Sequence, residues 1–507
     1  MRRARIGRLA AGVAVAVVLL LAVPLRAEAH ARLMGVLPAP SSTVAAPLSQ
    51  VLLQFNEPID RSLFRAEVDT DNGTGLSGDP VFQTERTVVL RLKPGIAGVL
   101  TISWLAIGTD AHPVQGQFVV GIRTAADASS LAGNLSLAVQ RSGSFESGAG
   151  SGWLTGAIEA GRSAEIVLLY VTLGVLMVGA LALWRRARPL PAGPGASLAF
   201  PRTAVVTPPG ALDRASRTLL VTGGLSLVVT PVIFWFEASR ITELIPGVGI
   251  DRILFSTIGA VAAAKTVLWA AVVAVTLVTT RRRADARPVG GLLLGLSVLG
   301  GGLVVAFVAG THAGTGSASP SLVYIPMMAA HVVLGALWAG GLIALLLVVF
   351  PSGDAAEIWP AVTRFSRVMT FSLLPLVAAG ALLLLRLLNN LNALWCTTYG
   401  LVAGFKVTAV LVAMVIGLVN NRFVAAHRRD EELPDTARRM MRRSGPTIAT
   451  LQRFITLEAF ILLGVLVLAA VLGETQLPPL FNGRVLPGDA AQDLNGVTPG
   501  LFGSGCQ

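Results

Sequence analysis

Cysteine is nearly absent: the 507 residues hold two, Cys396 and Cys506, far apart and outside any C-x-x-C pair. That argues against a disulfide framework, a zinc ribbon or an iron–sulfur site. Charge is scarce as well, at 13% of residues, while 53% are hydrophobic. A soluble protein of this length does not carry that balance, so most of the chain is expected in a bilayer. Acidic residues are the rarer sign, leaving a net charge of +12. The arginines fall in short clusters between apolar runs, which reads as orientation against the membrane, and nucleic acid is not expected as a partner. No P-loop and no large soluble inner domain are present, so ATP-driven work is not expected either. Histidine is limited to His30, His112, His312, His331 and His427.

What is there begins with a leader. Arg2-Arg3-Ala4-Arg5 precedes an apolar run from Leu9 to Leu25 and then Ala27-Glu28-Ala29-His30. This is the pattern of a secretory signal peptide over 1–29, cut after Ala29. Cleavage would leave His30 as the mature amino terminus, with an amine and an imidazole on one residue.

From 30 to 123 the sequence is not membrane-like. Val51–Phe55, Thr87–Leu92, Val99–Trp104 and Gln115–Val120 are short, β-branched and partly alternating, with turn signals at Pro58, Asp71-Asn-Gly73, Lys93-Pro-Gly95 and Gly108. They predict a small all-β sandwich or barrel, outside the cytoplasm. Residues 124–160 are rich in Ala, Gly and Ser and read as a linker, with a reach of roughly 30 Å. A helical membrane domain is expected over 161–475, with apolar spans near 163–184, 218–238, 255–280, 289–311, 321–350, 361–388, 400–420 and 452–473. Each is long enough to cross about 30 Å of hydrocarbon. The basic clusters Arg185–Arg188, Arg281–Arg283 and Arg422–Arg443 fall on alternate loops. They predict eight crossings in the plasma or inner membrane, with the β domain and the 476–507 tail outside.

The topology sorts the histidines. In Thr109-Asp-Ala-His-Pro113, Asp110 and His112 are two residues apart, so in an extended stretch they point the same way. With the His30 amine and imidazole they would offer three nitrogens and one oxygen, a set that suits Cu(II) better than zinc or nickel. A solvated Asp–His pair is the other reading of those residues alone. His331 lies within a span, where an ionisable side chain normally faces the bundle interior and serves function. His312 lies in the preceding outer loop, and Met327 and Met328 are further candidate donors, although methionine is also ordinary packing material. Lys265, Lys406 and Glu458 fall within or near spans: Lys406 is expected buried and paired, and Lys265 and Glu458 as snorkelling groups or structural pairs. His427, among arginines, reads as a solvated loop residue.

His30-Ala-Arg-Leu33, Pro38-Ala-Pro40 and Val51-Leu-Leu-Gln-Phe-Asn-Glu-Pro58 resemble the opening of the CopC family of periplasmic copper-binding proteins. Trp104 with Thr109-Asp-Ala-His-Pro-Val-Gln-Gly-Gln-Phe118 is similar to its closing signature, with Thr109 and Ala111 replacing the usual Ser and Gly. The resemblance implies a Greek-key barrel binding Cu(II) through His30, Asp110 and His112. The methionine-rich Cu(I) segment of some members is missing. The membrane part resembles CopD, the inner-membrane partner often fused to CopC. The resemblance rests on Thr311-His-Ala313, His331-Val-Val-Leu-Gly-Ala-Leu-Trp-Ala-Gly-Gly-Leu342, Phe365-Ser-Arg367, Gly404-Phe-Lys406, Asn421-Arg422 and Glu458.

The expected architecture is therefore a small all-β domain followed by an all-α bundle of about eight transmembrane helices. The expected function is copper capture at His30, Asp110 and His112 and transport through His312 and His331, inward, with no enzymatic activity. Copper ions and membrane lipid are the expected partners, with other extracytoplasmic copper proteins as candidates. The rival readings are a sequestration and tolerance protein anchored by its bundle, and a membrane copper reductase.

Overall fold

The computed structural model describes residues 33–55, 58–70, 73–108, 113–123, 152–179, 209–245, 247–282, 290–309, 321–388, 393–431 and 447–474. Among the described residues nine strands form the first domain: β1 (Leu33–Leu37), β2 (Thr43–Ala45), β3 (Gln50–Phe55), β4 (Arg65–Thr70), β5 (Gly73–Thr74), β6 (Val81–Phe82), β7 (Thr87–Arg91), β8 (Gly98–Ile107) and β9 (Pro113–Arg123). They make two sheets, ordered β1-β3-β7-β6 and β2-β9-β8-β4-β5. All pairings are antiparallel except β2 with β9. The four expected strands correspond to β3, β7, β8 and β9.

Alternation explains the core. Val51, Leu53 and Phe55 of β3 point inward, opposite Leu100, Ile102 and Trp104 of β8 and Phe118, Val120 and Ile122 of β9. Phe55 meets Trp104 edge-on, with ring centroids 5.3 Å apart. Trp104 pairs with Gly116 across the β8–β9 ladder. A Cβ on Gly116 would lie 2.7 Å from the indole, so only glycine admits the ring there.

Eight long helices follow among the described residues: α1 (Gly152–Val178), α2 (Pro209–Leu244), α3 (Thr257–Arg282), α4 (Gly290–Ala309), α5 (starting Ser321–Gly335), α6 (Ala355–Leu388), α7 (Thr398–Glu431) and α8 (Ile448–Glu474). Seven are long and apolar enough to cross a membrane, and the described apolar part of α4, Gly295–Ala309, is shorter. Each expected span thus coincides with a helix. The linker boundary differs: α1 begins at Gly152, before residue 160. Gly156 and Gly161, with Glu159 and Arg162 between apolar residues, make its first turns read as linker in sequence.

α1 and α5 are the most buried of the seven. α5 continues from Gly335 through a π turn at Ala336–Gly340, a helical turn at Gly341–Ala344 and a second π turn at Leu345–Val349. Gly174 of α1 faces Gly340 so closely that neither position has room for a Cβ. This backbone contact seats the first π turn against α1, as small residues permit between apolar helices.

Candidate functional site

β8 and β9 stay in register as far as Ile107 and Pro113, so residues 108–112 form their connection. Gly108 is bridged to Ile59, just beyond β3, whose last residue Phe55 pairs with Leu33 at the start of β1. The start of β1 and the 108–112 connection therefore share one end of the sandwich. His30 is three residues from Leu33, within about 10 Å of chain reach. His30, Asp110, His112 and His312 themselves lie outside the described residues.

The same end of the sandwich packs on the bundle. Leu63, Leu105 and Ile107 join Ala238, Ile241 and Ile245 of α2, Val248 and Ile253 beyond it, and Ile258 of α3 in one buried apolar cluster. Leu63, Ile107, Ile241 and Ile253 are fully buried within it. Burying a side chain of this size is worth about 1.5–3 kcal/mol, so the cluster holds the β domain against the helices beyond what a linker alone would do.

Beneath that contact lies a cavity of about 520 Å³. Phe234 and Ile258 belong both to its wall and to the docking cluster. Ionisable groups line it on several helices. Arg162 of α1 donates to Glu237 Oε1 of α2 at 2.7 Å. Lys265 of α3 donates to Glu165 Oε2 of α1 at 3.1 Å, and Thr230 Oγ1 donates to Glu165 Oε1 at 3.2 Å. Lys265 also sits 5.6 Å from the Phe307 ring centre. Of the two readings of Lys265, snorkelling or pairing, the structure shows the pair.

His331 of α5 lines the same cavity. Its ring lies against Gly380 of α6, where a Cβ would approach the imidazole to 3.0 Å. Its Nδ1 is buried with no hydrogen-bond partner among the described residues. Met328, one helical turn earlier, and Met414 of α7 also line the cavity, whereas Met327 is 1% exposed and packs in the apolar core. Of the expected bundle donors, the structure therefore brings His331 and Met328 to one cavity and turns Met327 away from it. Met414, Arg162, Glu165 and Glu237 escaped the sequence reading. The last three carried the signal of ionisable residues inside or beside an apolar run.

Glu458 of α8, 2% exposed, accepts from Trp338 Nε1 at 2.7 Å and from Asn420 Nδ2 at 2.6 Å. These bonds tie three helices together and satisfy a carboxylate that lipid would not tolerate. His427 is not in a loop. It lies on α7, which runs on to Glu431, and its imidazole stacks on Trp359 with centroids 3.6 Å apart.

Residues 33–122 match the family described as the CopC domain, and residues 359–472 match CopD, copper resistance protein D. The chain thus carries a CopC match followed by a CopD match. The CopC match runs from the start of β1 to one residue short of the end of β9, and the CopD match from the second turn of α6 to the last turn of α8. Copper resistance protein C of Escherichia coli is 25% identical over 115 residues, covering 21% of this chain and 90% of that protein. Among solved structures, PcoC, a methionine-rich copper resistance protein from Escherichia coli, is 22% identical, covering 19% of this chain and all of its own, with a TM-score of 0.17. CopC from Methylosinus trichosporium OB3b is 18% identical, covering 18% of this chain and 93% of its own, also with a TM-score of 0.17. The CopC and CopD domains together mark the chain as a copper-handling protein. The CopD match includes Lys406 and Glu458, while His331 precedes it.

Proposed function

We propose that the chain moves copper across the plasma or inner membrane, inward. The CopC domain captures Cu(II) outside through the His30 amine and imidazole, Asp110 and His112, and the bundle receives it at His331. The observation that carries this reading is the docking cluster. The sandwich end that bears the 108–112 connection and the start of β1 rests on the bundle above the cavity that His331 lines. Hand-over then needs a short displacement rather than a search over the full reach of the linker. Alternating basic loops support the outside placement of the CopC domain. Met328 and Met414 supply thioethers on the cavity wall, donors that favour Cu(I) over Cu(II). Copper uptake by cells expressing the His331→Ala protein tests the reading. Uptake should fall at least about fivefold at unchanged surface level, since one nitrogen donor is worth more than 1 kcal/mol. Undiminished uptake overturns it.

A second reading, sequestration at the CopC domain with the bundle as anchor, draws on one fact. Among the described residues no group of three or more His, Cys, Asp or Glu side chains is placed to hold a metal. Under that reading the same variant leaves both uptake and copper tolerance unchanged.

A further inference from the structure

The cavity is too large and too apolar for a metal ion alone. About 520 Å³ is the size of a site for a small organic molecule. Tyr170, Phe307, Trp338 and Tyr399 contribute aromatic wall. Its charge is also unbalanced. Arg162 and Lys265 are each matched by a glutamate. Lys406, on the α7 wall, has no ionic or hydrogen-bonded partner among the described residues. A lone ammonium in an apolar cavity is costly and is offset by a counter-charge. The α5 wall presents His331, whose ring is hydrogen-bonded to the Leu376 backbone while its buried Nδ1 has no partner among the described residues. An unmatched ammonium on a roomy apolar cavity describes a site whose complementary group belongs to a ligand.

We propose that this cavity binds an organic carboxylate with an apolar body, its carboxylate on the Lys406 ammonium and its body against the aromatic wall. The site goes beyond copper transport and does not depend on it. The two connect through charge, because an anion on Lys406 removes the uncompensated positive charge and so lowers the cost of a metal cation at His331. Val377 and Leu411 line the cavity and are 38% and 56% exposed, so the site is accessible between α6 and α7.

The test is equilibrium binding of [14C]benzoate to the metal-free full-length protein in phosphatidylcholine nanodiscs. Wild type should show one saturable site. Lys406→Met should weaken it by about tenfold or more, the loss expected for a charge-assisted bond, while Lys406→Arg should keep most of it. Retention by the Arg variant shows that the position tolerates substitution, so loss in the Met variant reports charge rather than misfolding. Equal binding by Lys406→Met and wild type, or no saturable binding to wild type, overturns the proposal. Nanodiscs containing phosphatidylglycerol separate the sources of the anion. Benzoate binding that persists there supports a free carboxylate, and binding abolished there assigns the site to a lipid phosphate and overturns it. Because no copper is present, failure here leaves the transport reading standing, and unchanged uptake in His331→Ala leaves this site standing.

Discussion

Gly108 is bridged to Ile59, and that single backbone pairing ties the end of β8 to the chain just beyond β3. It brings the β8–β9 connection to the end of the sandwich where β1 begins. We propose that the Cu(II) ligands His30, Asp110 and His112 meet at that end. Ile107, adjacent to Gly108, is fully buried against the bundle, so the same end is also the docked end.

Removing a ligand from that end should weaken copper binding without unfolding the domain. His112→Ala should lower Cu(II) affinity at least about tenfold, as expected for the loss of one strong donor. A protein with its leader left uncut should lose nitrogen coupling in its Cu(II) electron paramagnetic resonance spectrum, because an amide nitrogen replaces the terminal amine. A His112→Ala protein that binds Cu(II) as tightly as wild type contradicts the ligand set.

The ion pair between Lys265 and Glu165 should behave as one unit. Lys265→Met leaves a carboxylate that is mostly buried and held only by Thr230, at an expected cost of about 2 kcal/mol. Lys265→Met with Glu165→Gln should cost less than the two single changes summed, because the stranded charge is gone. Thermal unfolding of the four proteins in detergent measures the cycle, and additive effects contradict the pairing.

Much of this was legible in the sequence, and the failures have physical causes. Val51, Leu53 and Phe55 alternate cleanly, so β3 could be read. β4 could not, because of Arg65-Ala-Glu-Val-Asp-Thr70 only Val68 is fully buried and the pattern carries no inward face. The spans were visible as apolar runs, yet which side of each faces the cavity depends on neighbouring helices. Met327 and Met328 are equivalent in sequence and opposite in placement for that reason. His427 was misread from its basic neighbours, since a helix that runs past the apolar segment into charged residues looks like a loop. The docking cluster left no periodic signal, being assembled from Leu63, Leu105 and Ile107 with residues more than a hundred positions away.

Trp338 and Asn420 should matter through Glu458. Trp338→Phe keeps the ring and removes the donor to Oε1, leaving a buried carboxylate oxygen without that bond, at about 1.5–3 kcal/mol. Thermal unfolding in detergent should show the loss. Adding Glu458→Gln to Trp338→Phe should recover part of it, because a neutral amide is cheaper to leave partly unpaired. No recovery would contradict the view that the indole serves the charge.

The end of the CopC domain proposed to bear copper rests on the bundle above its cavity. The distance between bound Cu(II) and a nitroxide on the helices tests it most directly. Ile250, 47% exposed on the short helix Ile250–Leu254 beside the docking cluster, suits the label once Ile250→Cys is made with Cys396→Ser and Cys506→Ser. Double electron–electron resonance should give one narrow distance, which broadens when Ile107→Asp breaks the apolar contact. A distribution spread over the roughly 30 Å reach of a free linker, already present before that substitution, contradicts the account.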